Sequence, residues 1–274
     1  MTGKRPLFLL VNPIFSWFKL VLDLVFLYNK SIRYAKIGGQ NVELVVKNIA
    51  KKFQENDVLK GVTHTFPSGC ITGLLGRNGA GKTTLFNILY GEYQADQGEV
   101  FLVENGIERP LDAQDIGMVF SKNYLPEFLT AYEFIKFYMD LHPTSSSMSI
   151  DDYLDFMEIN QADRHRIIKG YSDGMKSKLS LICILITKPK VILLDEPLTA
   201  VDVVSSIAIK RLLLSLRDNH ILILSTHIMA LAEDLCDQVV VLDKGYLSEM
   251  SVSTKDSAFE AELLDMLKGD DYAG

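Results

Sequence analysis

Basic residues are in the minority in this chain. Of 274 residues, 28 are lysine or arginine and 35 are aspartate or glutamate, a net charge of −7. That balance gives no electrostatic footprint for a nucleic-acid partner. Cysteine is scarce too: Cys70, Cys183 and Cys236 stand singly in apolar runs, without the paired spacing of a metal site. They read as buried thiols of a reducing compartment. The five histidines, His64, His142, His165, His220 and His227, are scattered, which argues against a structural metal centre. No internal repeat is visible.

An unbroken membrane-spanning run is also missing. Residues 7–28 are strongly apolar, but Asn12, Pro13, Ser16, Lys19 and Asp23 interrupt them. At mid-bilayer Lys and Asp each cost about 3 kcal/mol, while a good apolar residue returns only about 0.5 kcal/mol. Insertion is therefore near balance or unfavourable. Nor does a small-residue cleavage site follow, as a secretory signal requires. Asn12-Pro13 reads as an N-cap with proline at the first helical position. Ser16, Lys19 and Asp23 then share a narrow stripe, leaving a wide apolar face with Phe15, Trp17, Phe18, Val21 and Leu22. Residues 1–37 are accordingly read as an amphipathic helix lying on a membrane surface or docked on a membrane partner. Packing on the chain's own domain, or a true span, are the alternatives.

What is present is an apolar content of 48%, enough for a large core. The chain is organised around one turn, Gly76-Arg77-Asn78-Gly79-Ala80-Gly81-Lys82-Thr83-Thr84, which fits the phosphate-loop pattern G-x-x-x-x-G-K-[ST]. An apolar strand-like run, 70–75, precedes it, and a helical pattern ending near Gly91 follows. Glycines let backbone N–H groups converge on anionic oxygens, and the helix start adds unpaired donors. Lys82 can reach terminal phosphates, and the Thr83 hydroxyl can ligate Mg²⁺.

After a turn at Gly38-Gly39, residues 42–49 and 58–66 read as strands of a small antiparallel sheet, with Phe53 between them in a polar setting where it can stack on a base. Residues 99–103 and 116–120 are predicted strands. Residues 122–187 are mostly helical in pattern, at 132–141, 150–159 and 172–187. The runs 191–194, 221–224 and 239–242 are continuous and β-branched or leucine-rich, as strands buried on both faces of a parallel sheet are. Helical patterns at 203–216 and 229–236 alternate with them, so the fold class is α/β. One more strand follows Asp243-Lys244-Gly245; residues 251–274 form an acidic tail with a short amphipathic helix at 259–267.

Two carboxylates, Asp195 and Glu196, end the run at 191–194. Beside a phosphate loop, Asp195 would hold Mg²⁺ through water and Glu196 would orient or deprotonate the attacking water. His227 follows the 221–224 strand and can contact a γ-phosphate. Ser172 is a natural N-cap at a helix start, a place that suits an anion.

Taken together, residues 42–250 resemble the ATP-binding subunit of an ABC transporter, with six motifs in the family's order. Phe53 matches the adenine-stacking aromatic. Residues 76–84, with Asn78, Gly79, Ala80, Gly81, Lys82, Thr83 and Thr84, match the Walker A loop. Ser172, Gly174 and Met175 belong to the signature motif, here Ser-Asp-Gly-Met for the usual Ser-Gly-Gly-Gln. Asp195 and Glu196 match Walker B and its catalytic glutamate, Asp202 the D-loop aspartate, and His227 the switch histidine. The resemblance implies a P-loop NTPase with a mostly parallel core sheet, a small antiparallel β subdomain and an inserted helical subdomain near 122–187, all within residues 38–250. It implies ATP and Mg²⁺ as ligands. It also implies a second ATP-binding subunit, identical or not, whose signature helix would clasp the γ-phosphate. A separate transmembrane permease would be the driven partner, which would place this chain peripherally at the cytoplasmic face of the cell membrane. Ser121 replaces the family's glutamine, whose place is at the metal and water. With Glu196 and His227 both present, an active ATPase is expected. The Ser-Asp-Gly-Met and Ser-Thr-His-Ile-Met strings resemble the export branch. Competing readings are an ABC-type ATPase acting on ribosomes or DNA, and a non-hydrolysing regulatory subunit.

Overall fold

The computed structural model describes residues 42–143, 148–199, 201–251, 254, 256 and 258–268. The surface helix expected within residues 1–37, Ala200 and the end of the acidic tail lie outside the described residues.

Strand β1 (Val42–Phe53) pairs antiparallel with β2 (Asn56–Pro67) and, on its other edge, with β4 (Gln97–Glu104), which in turn pairs with β5 (Ile107–Pro110). This is the small antiparallel sheet. The second sheet contains β3 (Ile71–Leu75), β6 (Ile116–Val119), β7 (Val191–Asp195), β8 (Ile221–Thr226), β9 (Gln238–Asp243) and β10 (Tyr246–Glu249). Its order is β10-β9-β3-β8-β7-β6, parallel throughout except for β10 against β9. Strands β3, β7 and β8 are buried at every residue, as their unbroken apolar runs require of a sheet covered on both faces.

Helix α1 (Lys82–Tyr90) follows β3 and stops at Gly91, whose left-handed φ of 90° needs no Cβ. One apolar cluster joins Leu44 and Phe66 of the small sheet, Leu85 and Phe86 of α1, and Leu193 and Ile223 of the large sheet. The turn between β3 and α1 is thus anchored on both sides.

The helical segment comprises α2 (Ala131–Leu141), α3 (Ile150–Phe156), α4 (Gln161–Arg164) and α5 (Asp173–Thr187). Capping boxes start α2 at Thr130 with Glu133 and α3 at Ser149 with Asp152. Arg164 is fully buried there, and its guanidinium is compensated by Asp151 at 2.6 Å, by Asp155 and by the Ile159 carbonyl at 3.3 Å. Helices α6 (Val203–Leu216) and α7 (Met229–Leu235) connect strands of the large sheet. Near the C-terminus α8 (Phe259–Lys268) buries Phe259 and Leu263 and packs on β9.

Among the described residues no helix is long and apolar enough to cross a membrane. Cys236 is buried. Cys183 lines a cleft beside Tyr138 and Met118, where burial pushes its thiol pKa up to about 12. Cys70, in the turn ahead of β3, is half-buried and departs from the expectation of three buried thiols.

Candidate active site

The turn after β3 needs glycine for three separate reasons. At Gly76 a Cβ would stand 2.4 Å from the backbone oxygen of Leu242 on β9, so no side chain fits. Gly79 and Gly81 have φ of 82° and 105°, which L side chains rarely adopt. Gly81 is also the N-cap of α1 and offers no side-chain cap, so the first N–H groups of the helix face outward for an anion. Lys82 is buried to 7% exposure, and its ammonium donates back to the carbonyls of Gly76 at 2.8 Å and Arg77 at 3.2 Å. Burial pushes this ammonium below its ordinary pKa, while Glu196 and Asp195 pull it the other way. Gly76→Ala is expected to cost on the order of 2–3 kcal/mol by overpacking, read as a lower midpoint in denaturant unfolding of the full chain.

At the mouth of β7, Asp195 is 2% exposed. Its Oδ2 accepts a hydrogen bond from Thr83 Oγ1 at 3.1 Å, and its Oδ1 accepts one from Ser225 Oγ. Residues 195 and 225 stand directly opposite in the parallel pairing of β7 with β8. The side chains that donate to this buried carboxylate are thus two neutral hydroxyls. Two hard oxygens from Thr83 and Asp195 fit Mg²⁺, which usually takes one or two protein oxygens and fills its shell with phosphate and water. Among the described residues no group of three or more His, Cys, Asp and Glu side chains gathers to hold a metal unaided.

Glu196 has a left-handed φ of 49°, uncommon for a residue with a side chain. Its N–H is held by the backbone oxygen and the hydroxyl of Ser225, each at 3.2 Å. That twist turns the carboxylate toward the exit of β8, where His227 Nδ1 lies 2.8 Å from Glu196 Oε1. Facing an ionised carboxylate, Nδ1 is the donor, and in a neutral ring Nε2 is then the acceptor. The second oxygen, Oε2, accepts from Thr199 Oγ1 at 3.0 Å.

Helix α5 starts as a helix should: Ser172 Oγ accepts from the Met175 N–H at 3.3 Å. A Cβ on Gly174 would come within 3.1 Å of Asp202 Oδ2, so glycine permits α5 to abut the start of α6. Asp202 caps α6 by accepting from the Ser205 N–H at 3.0 Å. Met175 Sδ receives Arg166 at 3.6 Å.

The structure therefore joins Thr83 to Asp195, Glu196 to His227, and Gly174 to Asp202. Asn78, Gly79 and Ala80 line a cleft of about 360 Å³ with Asn56, Val58 and Lys244. Thr84 is half-buried in the first turn of α1. Phe53 is not a loop residue between strands but the end of β1, paired across the hairpin with Asn56. Its ring is 41% exposed and stands edge-on to Tyr93, centroids 5.6 Å apart. Ser121 is exposed beyond the end of β6, and among the described residues its side chain makes no hydrogen bond. Sequence reasoning missed Ser225, and it placed Thr199 in the stretch 199–202 that resembles the D-loop without foreseeing its bond to Glu196; a hydroxyl two residues before His227 on an all-buried strand was the available signal for Ser225.

A profile of the family described as ABC transporter matches residues 59–199. The uncharacterized ABC transporter ATP-binding protein YxlF of Bacillus subtilis is 32% identical over 242 residues, which is 82% of this chain and 78% of that protein. The sulfate/thiosulfate import ATP-binding protein CysA of Methylococcus capsulatus is 31% identical over 220 residues, 76% of this chain and 63% of that protein. Among solved structures, a dimeric post-hydrolysis ATP-binding cassette bound to ADP and Pi superposes with a TM-score of 0.64 at 23% identity, covering 76% of this chain and 99% of the other. At that identity the likeness speaks to the fold.

Proposed function

The chain belongs to the ABC transporter family, and we propose that it is the ATP-hydrolysing subunit that energises a separate transmembrane permease from the cytoplasmic face of the cell membrane. The observation that carries this is the pairing at the mouths of β7 and β8. A carboxylate suited to a metal, Asp195, and a carboxylate oriented by a histidine, Glu196, are adjacent residues beside the phosphate loop.

In this reading the N–H groups of the 76–84 turn and Lys82 bind the β- and γ-phosphates of ATP, Lys82 exchanging carbonyl for phosphate oxygens as the nucleotide arrives. Thr83 and Asp195, with Ser121 nearby in the family's pattern, would hold Mg²⁺, and the ion would neutralise phosphate charge when bound. Phe53 presents an exposed ring to the adenine. Glu196 takes a proton from the water that attacks the γ-phosphorus, the bond to the bridging oxygen breaks, and ADP and phosphate leave. His227 holds Glu196 in line. Ser172, Gly174 and Met175 offer the start of α5 to nucleotide held by a second ATP-binding subunit, and Asp202 fixes that start. Their observed contacts run to α6 and Arg166, which fits a surface kept for a partner.

We propose export as the direction, because residues 172–175 and 225–229 resemble the export branch, although the Methylococcus relative serves import. Residues 1–37 are proposed to strengthen attachment to the membrane or permease. The test is affinity purification of the full chain from detergent-solubilised membranes. A polytopic membrane protein should co-purify, in smaller amount when residues 1–36 are deleted, with ATP binding unaffected by the deletion. Recovery of ribosomes without a permease would reject the transport role.

A further inference from the structure

We propose that Thr199 is a positioning residue for the Glu196 carboxylate. The inference rests on the reading of Glu196 as the group that receives the proton from water, and it names what aims that group. The backbone of Glu196 is fixed from β8, since Ser225 takes its N–H with two oxygens at 3.2 Å. The side chain still has three rotatable bonds beyond that anchor. One hydrogen bond, from His227 Nδ1 to Oε1 at 2.8 Å, leaves the carboxylate plane free to turn about that contact.

The second contact removes that freedom. Thr199 Oγ1 donates to Oε2 at 3.0 Å, and the Thr199 N–H donates to the Glu196 carbonyl at 3.1 Å. Residues 196–199 are thus a turn closed twice, once through the backbone and once through the side chains. Pro197 fixes φ inside that turn, so the hydroxyl is brought back to the carboxylate with little conformational freedom left. The two carboxylate oxygens are then held from two elements: the strand exit of β8 through His227 and the turn before α6 through Thr199. Thr199 itself is exposed, so its hydroxyl supports no core packing. A merely structural role would be closure of the turn, which the backbone bond already provides.

Orientation is worth much at this position. A misplacement of 1 Å can cost about a hundredfold in rate, and loss of one of two anchors should cost part of that. The experiment uses the full chain and three variants: Thr199→Val, which keeps shape and removes the donor, Thr199→Ser, which restores it, and Glu196→Gln. Thr199→Val should lower kcat about tenfold with KM for Mg-ATP unchanged, and Thr199→Ser should return kcat to near the parent value. In the Glu196→Gln background, adding Thr199→Val should change neither ATP binding nor ATP-dependent dimer formation, since the carboxylate it serves is gone. Parental kcat in Thr199→Val, a rise in kcat, or equal loss in the Val and Ser variants would overturn the proposal. Weakened ATP binding in Thr199→Val would overturn it as well, by showing a role in the nucleotide pocket. If Glu196→Gln alone kept parental turnover, the proton-acceptor reading would fall first, and the role of Thr199 with it.

Discussion

Replacing Glu196 with glutamine should lower ATP turnover by about 10²–10⁴-fold, the range general-base catalysis contributes, while ATP binding is retained. The substitution is narrow in its effect. Glutamine has the size of glutamate, its amide oxygen can still accept from His227 Nδ1, and its amide nitrogen can donate to Thr199 Oγ1. The left-handed backbone at residue 196 is unchanged in its demands, because both side chains are alike at Cβ. What disappears is the capacity to take a proton from water. Phosphate release under saturating Mg-ATP measures the loss, and size-exclusion chromatography with ATP measures whether a nucleotide-bound dimer accumulates when turnover stops. A variant that hydrolyses ATP at a tenth of the parental rate or faster would show that another group accepts the proton.

The parts of this site that were legible in sequence are those fixed by neighbours along the chain. The phosphate turn and the Asp195-Glu196 pair sit at ends of apolar runs that can only be buried strands, and α6 spans Val203–Leu216 as its periodicity predicts. The parts that were not legible depend on strand order. Ser225 serves Asp195 and Glu196 only because β8 lies between β3 and β7, a neighbourhood set by the packing of distant segments. Two boundaries moved for local reasons. Helix α3 stops at Phe156 rather than near Ile159, because Glu158 turns left-handed at a φ of 56° and the Ile159 N–H reaches back to the Leu154 carbonyl at 2.8 Å. That is a glycine's role in a helix stop, filled here by a residue that gives no such signal. Strand β1 continues to Phe53 through irregular pairing around Asn48, whose φ is 54°, so a polar stretch that reads as a break is a bulge.

Lys82→Ala should weaken binding of Mg-ATP by about thirtyfold to several thousandfold, the equivalent of the roughly 2–5 kcal/mol lost when one member of a buried charged hydrogen-bonded pair is truncated. Among the described residues the Lys82 ammonium donates to two carbonyls, those of Gly76 and Arg77, in a place where burial already disfavours its charge. Removing it from the empty chain therefore takes away a costly buried cation along with two hydrogen bonds, and the two changes oppose each other. The unfolding midpoint of the nucleotide-free chain should move little, while ATP should no longer raise it, because a ligand stabilises only the state that binds it. Lys82→Arg separates charge from shape. Arginine keeps the cation but brings a planar fork into a turn where a Cβ at Gly76 would already stand 2.4 Å from the Leu242 oxygen. Affinity should fall in that variant too, which would show that the turn is built for a compact ammonium. Isothermal titration with Mg-ATP reads both variants, and parental affinity in Lys82→Ala would mean that the 76–84 turn is not where the triphosphate binds.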